Sequence, residues 1–176
     1  FDPQLHHEEI ALYLEDEGVV DPELQIPFLR DLSECLQLYR DSDLSSRLGI
    51  ILAKDKLPEL PIFGYLKNAY NVFKVTGIID LLFWDGKQWV VLDYKTDKEI
   101  PDSQNMEQHA YWFQIQTYLW MLKSMYGIEA HGEIYLNRFD RIISIAPDPD
   151  LYFKKLASLE FAVDLTPFRP GVTEVR

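Results

Sequence analysis

The chain has 176 residues, 47% of them apolar and 26% charged, the make-up of one globular domain with its own core rather than of a disordered segment. Seventeen Lys and Arg against 29 Asp and Glu give a formal charge of −12, which excludes a basic protein that coats nucleic acid, because phosphate affinity comes from Lys and Arg. One Cys excludes an internal disulfide and a four-Cys zinc or iron–sulfur site, and no apolar run nears the ~20 residues of a membrane span. The chain starts at Phe1 with no visible signal peptide, so it is expected to be a cytoplasmic domain cut from a longer protein.

Residues 1–34 carry ten acidic residues and one basic residue, Arg30, and read as a solvated helical region. Asp21 and Pro22 supply an N-cap and a first-turn proline. Leu24, Phe28, Leu32, Leu36 and Tyr39 then recur at helical spacing to about Arg40, with Cys35 expected as a core thiol. A shorter helix is predicted over Leu44–Ala53. Glu59–Phe63 reads as a short strand whose Pro61 favours a sheet edge. Val72–Trp84 is rich in Val, Ile and Phe and predicts a strand. Asp85-Gly86 is a hairpin turn signal, so Gln88–Lys95 should return antiparallel. After a loop, Gln104–Tyr126 is predicted as one long helix stopped by Gly127. Ala130–Asn137 and Arg141–Ala146 read as two more strands and Pro149–Asp164 as a last helix. The order predicts a mixed α/β (α+β) domain around one sheet, with a helical part at about 1–55, a core at about 57–147 and a terminal helix at about 149–164. No phosphate-loop motif is present.

Strand alternation puts Asp93 and Lys95 on one face, and the hairpin brings Asp80 beside them. A lone buried carboxylate costs several kcal/mol unless it is paired or holds a metal, on the order of the penalties for buried charge. Two carboxylates meeting across strands repel, and a hard divalent cation relieves this. A structural Asp93–Lys95 ion pair, with Asp80 reaching solvent, accounts for the spacing as well. Tyr111, Gln114, Tyr118 and Leu122 fall at i, i+3, i+7 and i+11 and share a helix face. They predict either a polar floor beside Asp93 and Lys95 or a core stripe with a tolerated Gln. Trp84, Trp89, Trp112 and Trp120 suit core or interface positions, with base stacking as the alternative. His109 and His131 suggest no role.

Thr76-Gly-Ile-Ile-Asp80, Asp93-Tyr-Lys95-Thr and Tyr111-x-x-Gln114-x-x-x-Tyr118, in this order, resemble the nuclease domain of RecB and AddA. These are helicase–nuclease subunits of bacterial double-strand-break repair, within the PD-(D/E)xK nuclease superfamily. The resemblance is dense from about Glu59 to Tyr126. It implies a three-layer core with helices on a central mixed sheet. It also implies Mg²⁺-dependent hydrolysis of DNA phosphodiesters, Mn²⁺ substituting, with no iron–sulfur cluster in this chain. Asp80, Asp93 and the backbone carbonyl of Tyr94 would hold the metal. Lys95 would orient or activate the attacking water, and Gln114 and Tyr118 would support the site or guide the strand.

The family carries a further His ligand in a Gly-[Ser/Thr]-x-x-His setting. His6 and His7 lack that setting, so either the ligand helix lies upstream of Phe1, or His6 or His7 takes the role. Glu59, matching a Glu-x-Pro-Phe pattern, is another candidate ligand. The resemblance implies single-stranded DNA or unwound duplex ends as substrate, and a helicase domain in the same chain or in a partner subunit, with no membrane. A free-standing phage or repair exonuclease, or an inactive nuclease fold that binds DNA or serves in docking to a partner protein, are the alternatives.

Overall fold

The computed structural model describes residues 21–67, 72–99 and 103–158, with Leu12 and Asp16 besides. Helix α1 spans Pro22–Arg40; the Asp21 carboxylate accepts the Glu23 N–H at 2.9 Å, and Pro22 fits the first turn, where its missing donor costs nothing. Helix α2 spans Asp43–Gly49 behind a Ser42 cap. It is shorter than the predicted Leu44–Ala53, because the chain leaves it at Ile50 and Ala53–Asp55 form a separate 3-10 turn.

Strand β1 spans Lys56–Lys67 and β2 spans Val72–Trp84, antiparallel from Lys56↔Phe83 to Lys67↔Val72. The predicted Glu59–Phe63 is therefore only the middle of a strand of 12 residues. β1 lies at a sheet edge, where Pro58 and Pro61 need no second ladder. Strand β3 spans Trp89–Lys95. At the β2–β3 turn the Asp85 carboxylate accepts the N–H groups of Lys87 and Gln88 at 2.8 and 2.9 Å, and Gly86 takes the left-handed conformation the turn requires.

Helix α3 spans Ala110–Tyr126 and ends at Gly127 in the left-handed region. It starts later than the predicted Gln104, because Ser103–Gln108 form a 3-10 helix and His109 caps α3 by accepting the Tyr111 N–H on Nδ1 at 3.3 Å. Strand β4 (Ala130–Leu136) runs parallel to β3, and β5 (Arg141–Ile145) antiparallel to β4. Asn137, predicted to end β4, instead begins a short 3-10 turn. Helix α4 spans Pro149–Ser158; the rest of the predicted Pro149–Asp164 lies outside the described residues.

Among the described residues the sheet order is β1-β2-β3-β4-β5, with helices on both faces. On one face Ile115 and Leu122 of α3 and Tyr152 of α4 bury Ile79, Leu82, Val91 and Ile134. On the other, Leu44 and Leu48 of α2 pack on Leu81, Phe83, Val90, Leu92 and Tyr135. The expected mixed α/β class with three layers is the observed one. The predicted α1 stripe is half-buried at Leu32, Leu36 and Tyr39 but exposed at Phe28. The helix meets the body through Asp31, Cys35 and Tyr39, one i, i+4, i+8 line. Cys35 is buried as expected, and burial raises its thiol pKa. Among the described residues no helix is long and apolar enough to cross a membrane.

Gly132 sets how closely α3 sits on the sheet. A Cβ there would meet the Ile115 side chain at 2.2 Å and the Ile145 carbonyl oxygen at 3.2 Å. Gly132→Ala is expected to destabilise the domain by about 1–3 kcal/mol, the usual cost of overpacking. Urea unfolding checks this, with Ile115→Leu, which lacks the β-branch methyl that the new Cβ would strike, recovering part of the loss.

Candidate metal centre where β2 and β3 part

The β2–β3 ladder runs from Trp84↔Trp89 to Leu81↔Leu92 and stops there. One further step in the same register would set Asp80 against Asp93. Instead the Asp80 carboxylate accepts the Tyr94 N–H at 2.8 Å, lying across the gap rather than above or below the sheet. The alternation of β2 slips at this point. Ile79 and Leu82 share the α3-side core while Leu81 and Phe83 face α2. The β1–β2 register also skips one position, Glu59 opposite Asp80, where Glu59 has φ 49. A non-glycine residue in the left-handed region stores about 1–3 kcal/mol of strain.

β3 holds the second carboxylate. Asp93 is 2% exposed and faces α3. Lys95, two residues on, places Nζ 2.6 Å from Asp93 Oδ2. The ammonium lies outside hydrogen-bonding angles, so this buried oxygen has a charge partner but no aligned donor. Burial pushes the Asp93 carboxyl above its ordinary pKa; Lys95 opposes this, and the charges of Asp80 and Asp97 add to it. The intervening Tyr94 is anchored on the opposite face in edge-on contact with Tyr39 and Tyr135, at 6.0 and 6.2 Å between ring centres.

Gln114 of α3 joins the two charges. Its Nε2 donates to Asp93 Oδ1 and to the Tyr118 hydroxyl, both at 3.1 Å, and its Oε1 accepts from Lys95 Nζ at 3.3 Å. The Tyr118 hydroxyl donates to the Ile78 carbonyl at 3.0 Å. Gly77 makes that approach feasible, since a Cβ there would lie 2.9 Å from the Tyr118 ring. Tyr111 covers Lys95, its ring centre 4.6 Å from Nζ, and donates its hydroxyl to Asp97 at 2.7 Å. Burial and that carboxylate push the Tyr111 hydroxyl up to about 12.

The structure thus brings Asp80, Asp93, Lys95, Gln114 and Tyr118 together, with Tyr111 beside them. Glu59 is exposed and, among the described residues, its side chain has no hydrogen-bond or ion-pair partner. His6 and His7 lie outside the described residues. Residue spacing missed two supports. Asp97 orients Tyr111, and Arg138 donates Nε to the Thr96 carbonyl at 2.7 Å while pairing with Asp31. Asp97 lay in view, directly after the Lys95-Thr motif. Arg138 is 107 residues from its Asp31 partner, and no local pattern signals that pair.

The donor set fits a hard divalent cation. It offers two neighbouring carboxylates, Asp80 across the strand gap and the buried Asp93, whose mutual repulsion a cation would relieve, and one buried oxygen without an aligned donor. Among the described residues no cluster of three acidic, His or Cys side chains occurs.

The sequence model of the PD-(D/E)XK nuclease superfamily matches residues 28–161. A stretch of 58 residues, 31% of this chain, is 36% identical to an ATP-dependent helicase/nuclease of Natranaerobius thermophilus and covers 4% of that protein. A solved structure, the crystal structure of SSO0001, is similar at a TM-score of 0.41 and 16% identity, over 88% of this chain and 66% of that one.

Asp80→Asn keeps an acceptor for the Tyr94 N–H and removes one of two repelling charges. The variant is expected to be as stable as the wild type in EDTA. With Mn²⁺ at 100 times its Kd, the wild type should gain about 2.7 kcal/mol and the variant little of it. Thermal unfolding with and without Mn²⁺ checks both; a variant unstable in EDTA that keeps the full Mn²⁺ gain would assign Asp80 a structural role.

Proposed function

The chain belongs to the PD-(D/E)XK nuclease superfamily, and from that premise we propose that it is a divalent-metal-dependent DNA nuclease domain. The observation that carries this reading is a buried Asp93 with Lys95 on the same strand face and the Asp80 carboxylate close enough to act on it. All three charges that phosphodiester hydrolysis needs are present, Asp93 and Lys95 joined by Gln114 and Asp80 held by the Tyr94 N–H. A nuclease fold kept only for docking needs no second carboxylate repelling a buried Asp93–Lys95 pair.

In this reading Asp80 and Asp93 hold Mg²⁺ or Mn²⁺, with the Tyr94 carbonyl as a third donor. The bound cation would polarise a phosphoryl oxygen and lower the pKa of a bound water. Lys95 would stand against the charge developing on phosphate. It donates to Gln114 and stands as charge partner to Asp93, and its remaining ammonium N–H groups can serve a phosphate oxygen or the attacking water. Both amide donors of Gln114 are used by Asp93 and Tyr118. Gln114 is therefore a positioning residue rather than the bridge from Lys95 to phosphate that its chemistry alone would allow. Tyr111 shields Lys95 from water on the other side.

The short similarity to a helicase/nuclease supports a finer proposal, that the domain belongs to a longer RecB- or AddA-like helicase–nuclease acting in double-strand-break repair. There it would receive DNA strands from a helicase partner. Tethering would raise the local DNA concentration, which a charge of −12 does not.

Labelled single-stranded DNA incubated with Mg²⁺ or Mn²⁺ tests the reading: cleavage is expected, and EDTA or Asp93→Ala should stop it. Folded protein inert on all DNA forms with both metals would count against it. Lys95→Ala should abolish cleavage while keeping the Mn²⁺-induced rise in melting temperature. Gln114→Ala should lower turnover by about 10²-fold, the scale of losing one preorganised donor, and shift the pH–rate profile, because Asp93 and Lys95 lose their common partner.

A further inference from the structure

The β1–β2 hairpin runs well past the point where β2 leaves β3. From Asp80 back to Val72, β2 pairs only with β1. One face of this arm is covered, with Ile62 buried, Gly64 against Met121 and Met125, and Gly77 against Tyr118. The other face is bare. Phe63 and Tyr65, two residues apart on β1, are 63% and 66% exposed, and Ile78 is 52% exposed. Their cross-strand neighbours complete the surface: Thr76 opposite Phe63, Lys74 opposite Tyr65, Ile78 opposite Pro61. Thr76 and Lys74 are exposed too.

Charge separates this face from most of the molecule. Between Glu59 and Asp80 the sequence holds no acidic residue, in a chain with 29 of them. A polyanion meets Lys74 and no carboxylate on this stretch. The surface lies on the side of the sheet away from α3 and meets the proposed centre only at the opening between β2 and β3, which the Asp80 carboxylate spans two residues beyond Ile78. Two exposed aromatic rings on one strand face beside a lysine are the parts of a stacking platform for unpaired bases, whose π-faces any sequence supplies. Duplex DNA keeps its bases stacked inside and would not use such rings.

We propose that the bare face of the β1–β2 arm, with Phe63, Tyr65 and Lys74, binds single-stranded DNA and leads it to the opening between β2 and β3 that Asp80 spans. The proposal rests on the nuclease reading for its direction but not for the binding itself. Phe63 and Tyr65 stack on bases, Lys74 meets the backbone, and Ile78 gives the strand an apolar contact next to that opening.

Fluorescence anisotropy of a fluorescein-labelled oligo(dT) 20-mer in EDTA, where no cleavage occurs, tests the platform. The wild type should bind, and Phe63→Ala/Tyr65→Ala should bind at least about 10-fold more weakly, since losing one base stack alone is worth roughly 5- to 150-fold. Tyr65→Phe should keep most of the affinity. Lys74→Gln should lower the slope of log affinity against log salt by about 0.7, the value for one phosphate contact on a single strand. These side chains are exposed, so unfolding temperatures should not change. A double variant that binds within twofold of the wild type would overturn the proposal and leave the face to another protein surface, as would a wild type that does not bind the strand. Cleavage with Mn²⁺, run in parallel, separates the two readings. Binding that depends on these residues without any cleavage keeps the platform and rejects the nuclease. Cleavage and binding both undiminished in the double variant reject the platform alone.

Discussion

Asp93 is a carboxylate with almost no contact with solvent, and the surrounding structure is organised by what such a group demands. Water cannot screen it, so the protein must supply charge and donors within a few ångströms. Lys95 supplies the charge and Gln114 a donor. Gln114 is held in turn by Tyr118, and Tyr118 by the backbone of β2. This chain of contacts ties β3, α3 and β2 together around one oxygen pair. It leaves Oδ2 without an aligned donor, and Asp80 nearby adds repulsion rather than relief. A metal-free fold built for stability alone would have an apolar residue or an amide here.

Opening the sheet at this point has a cost that other contacts offset. β2 leaves β3 at Asp80, and opposite it Glu59 sits in a left-handed conformation. On the reverse face Tyr39, Tyr94 and Tyr135 meet edge-on, a geometry worth about 0.5–1.5 kcal/mol per pair beyond burial. Arg138 fastens the residue after Lys95 to α1. Gly77 and Gly132 let Tyr118 and Ile115 come close enough to hold α3 over the site. The strained and repelling groups thus cluster on one side of β3, and the aromatic packing on the other.

Much of this was legible in the sequence because it follows from two periodicities. Alternation places Asp93 and Lys95 together, and the 3.6-residue repeat gathers Tyr111, Gln114 and Tyr118. Asp85-Gly86 fixes the hairpin that brings Asp80 alongside. What stayed hidden was non-local or broke a period. The slip of alternation at Asp80 has no local signature, because Glu59 causes no visible pattern by being left-handed. Histidine is not a usual N-cap, so the start of α3 at Ala110 falls six residues after its predicted place. Cys35, and not Phe28, faces the body because Arg138 and the tyrosines, far off in sequence, decide how α1 is turned. The direction of the Gln114 amide depends on three partners, Asp93 and Lys95 on β3 and Tyr118 on its own helix.

Crystals of the chain soaked in Mn²⁺, with diffraction recorded at the manganese absorption edge, test the central claim most directly. The expected result is one anomalous peak between the carboxylates of Asp80 and Asp93, absent from Asp80→Asn crystals. An intact Asp93–Lys95 pair with no peak beside it, or a peak bound elsewhere on the chain, would contradict the claim and make Asp93 and Lys95 a structural ion pair.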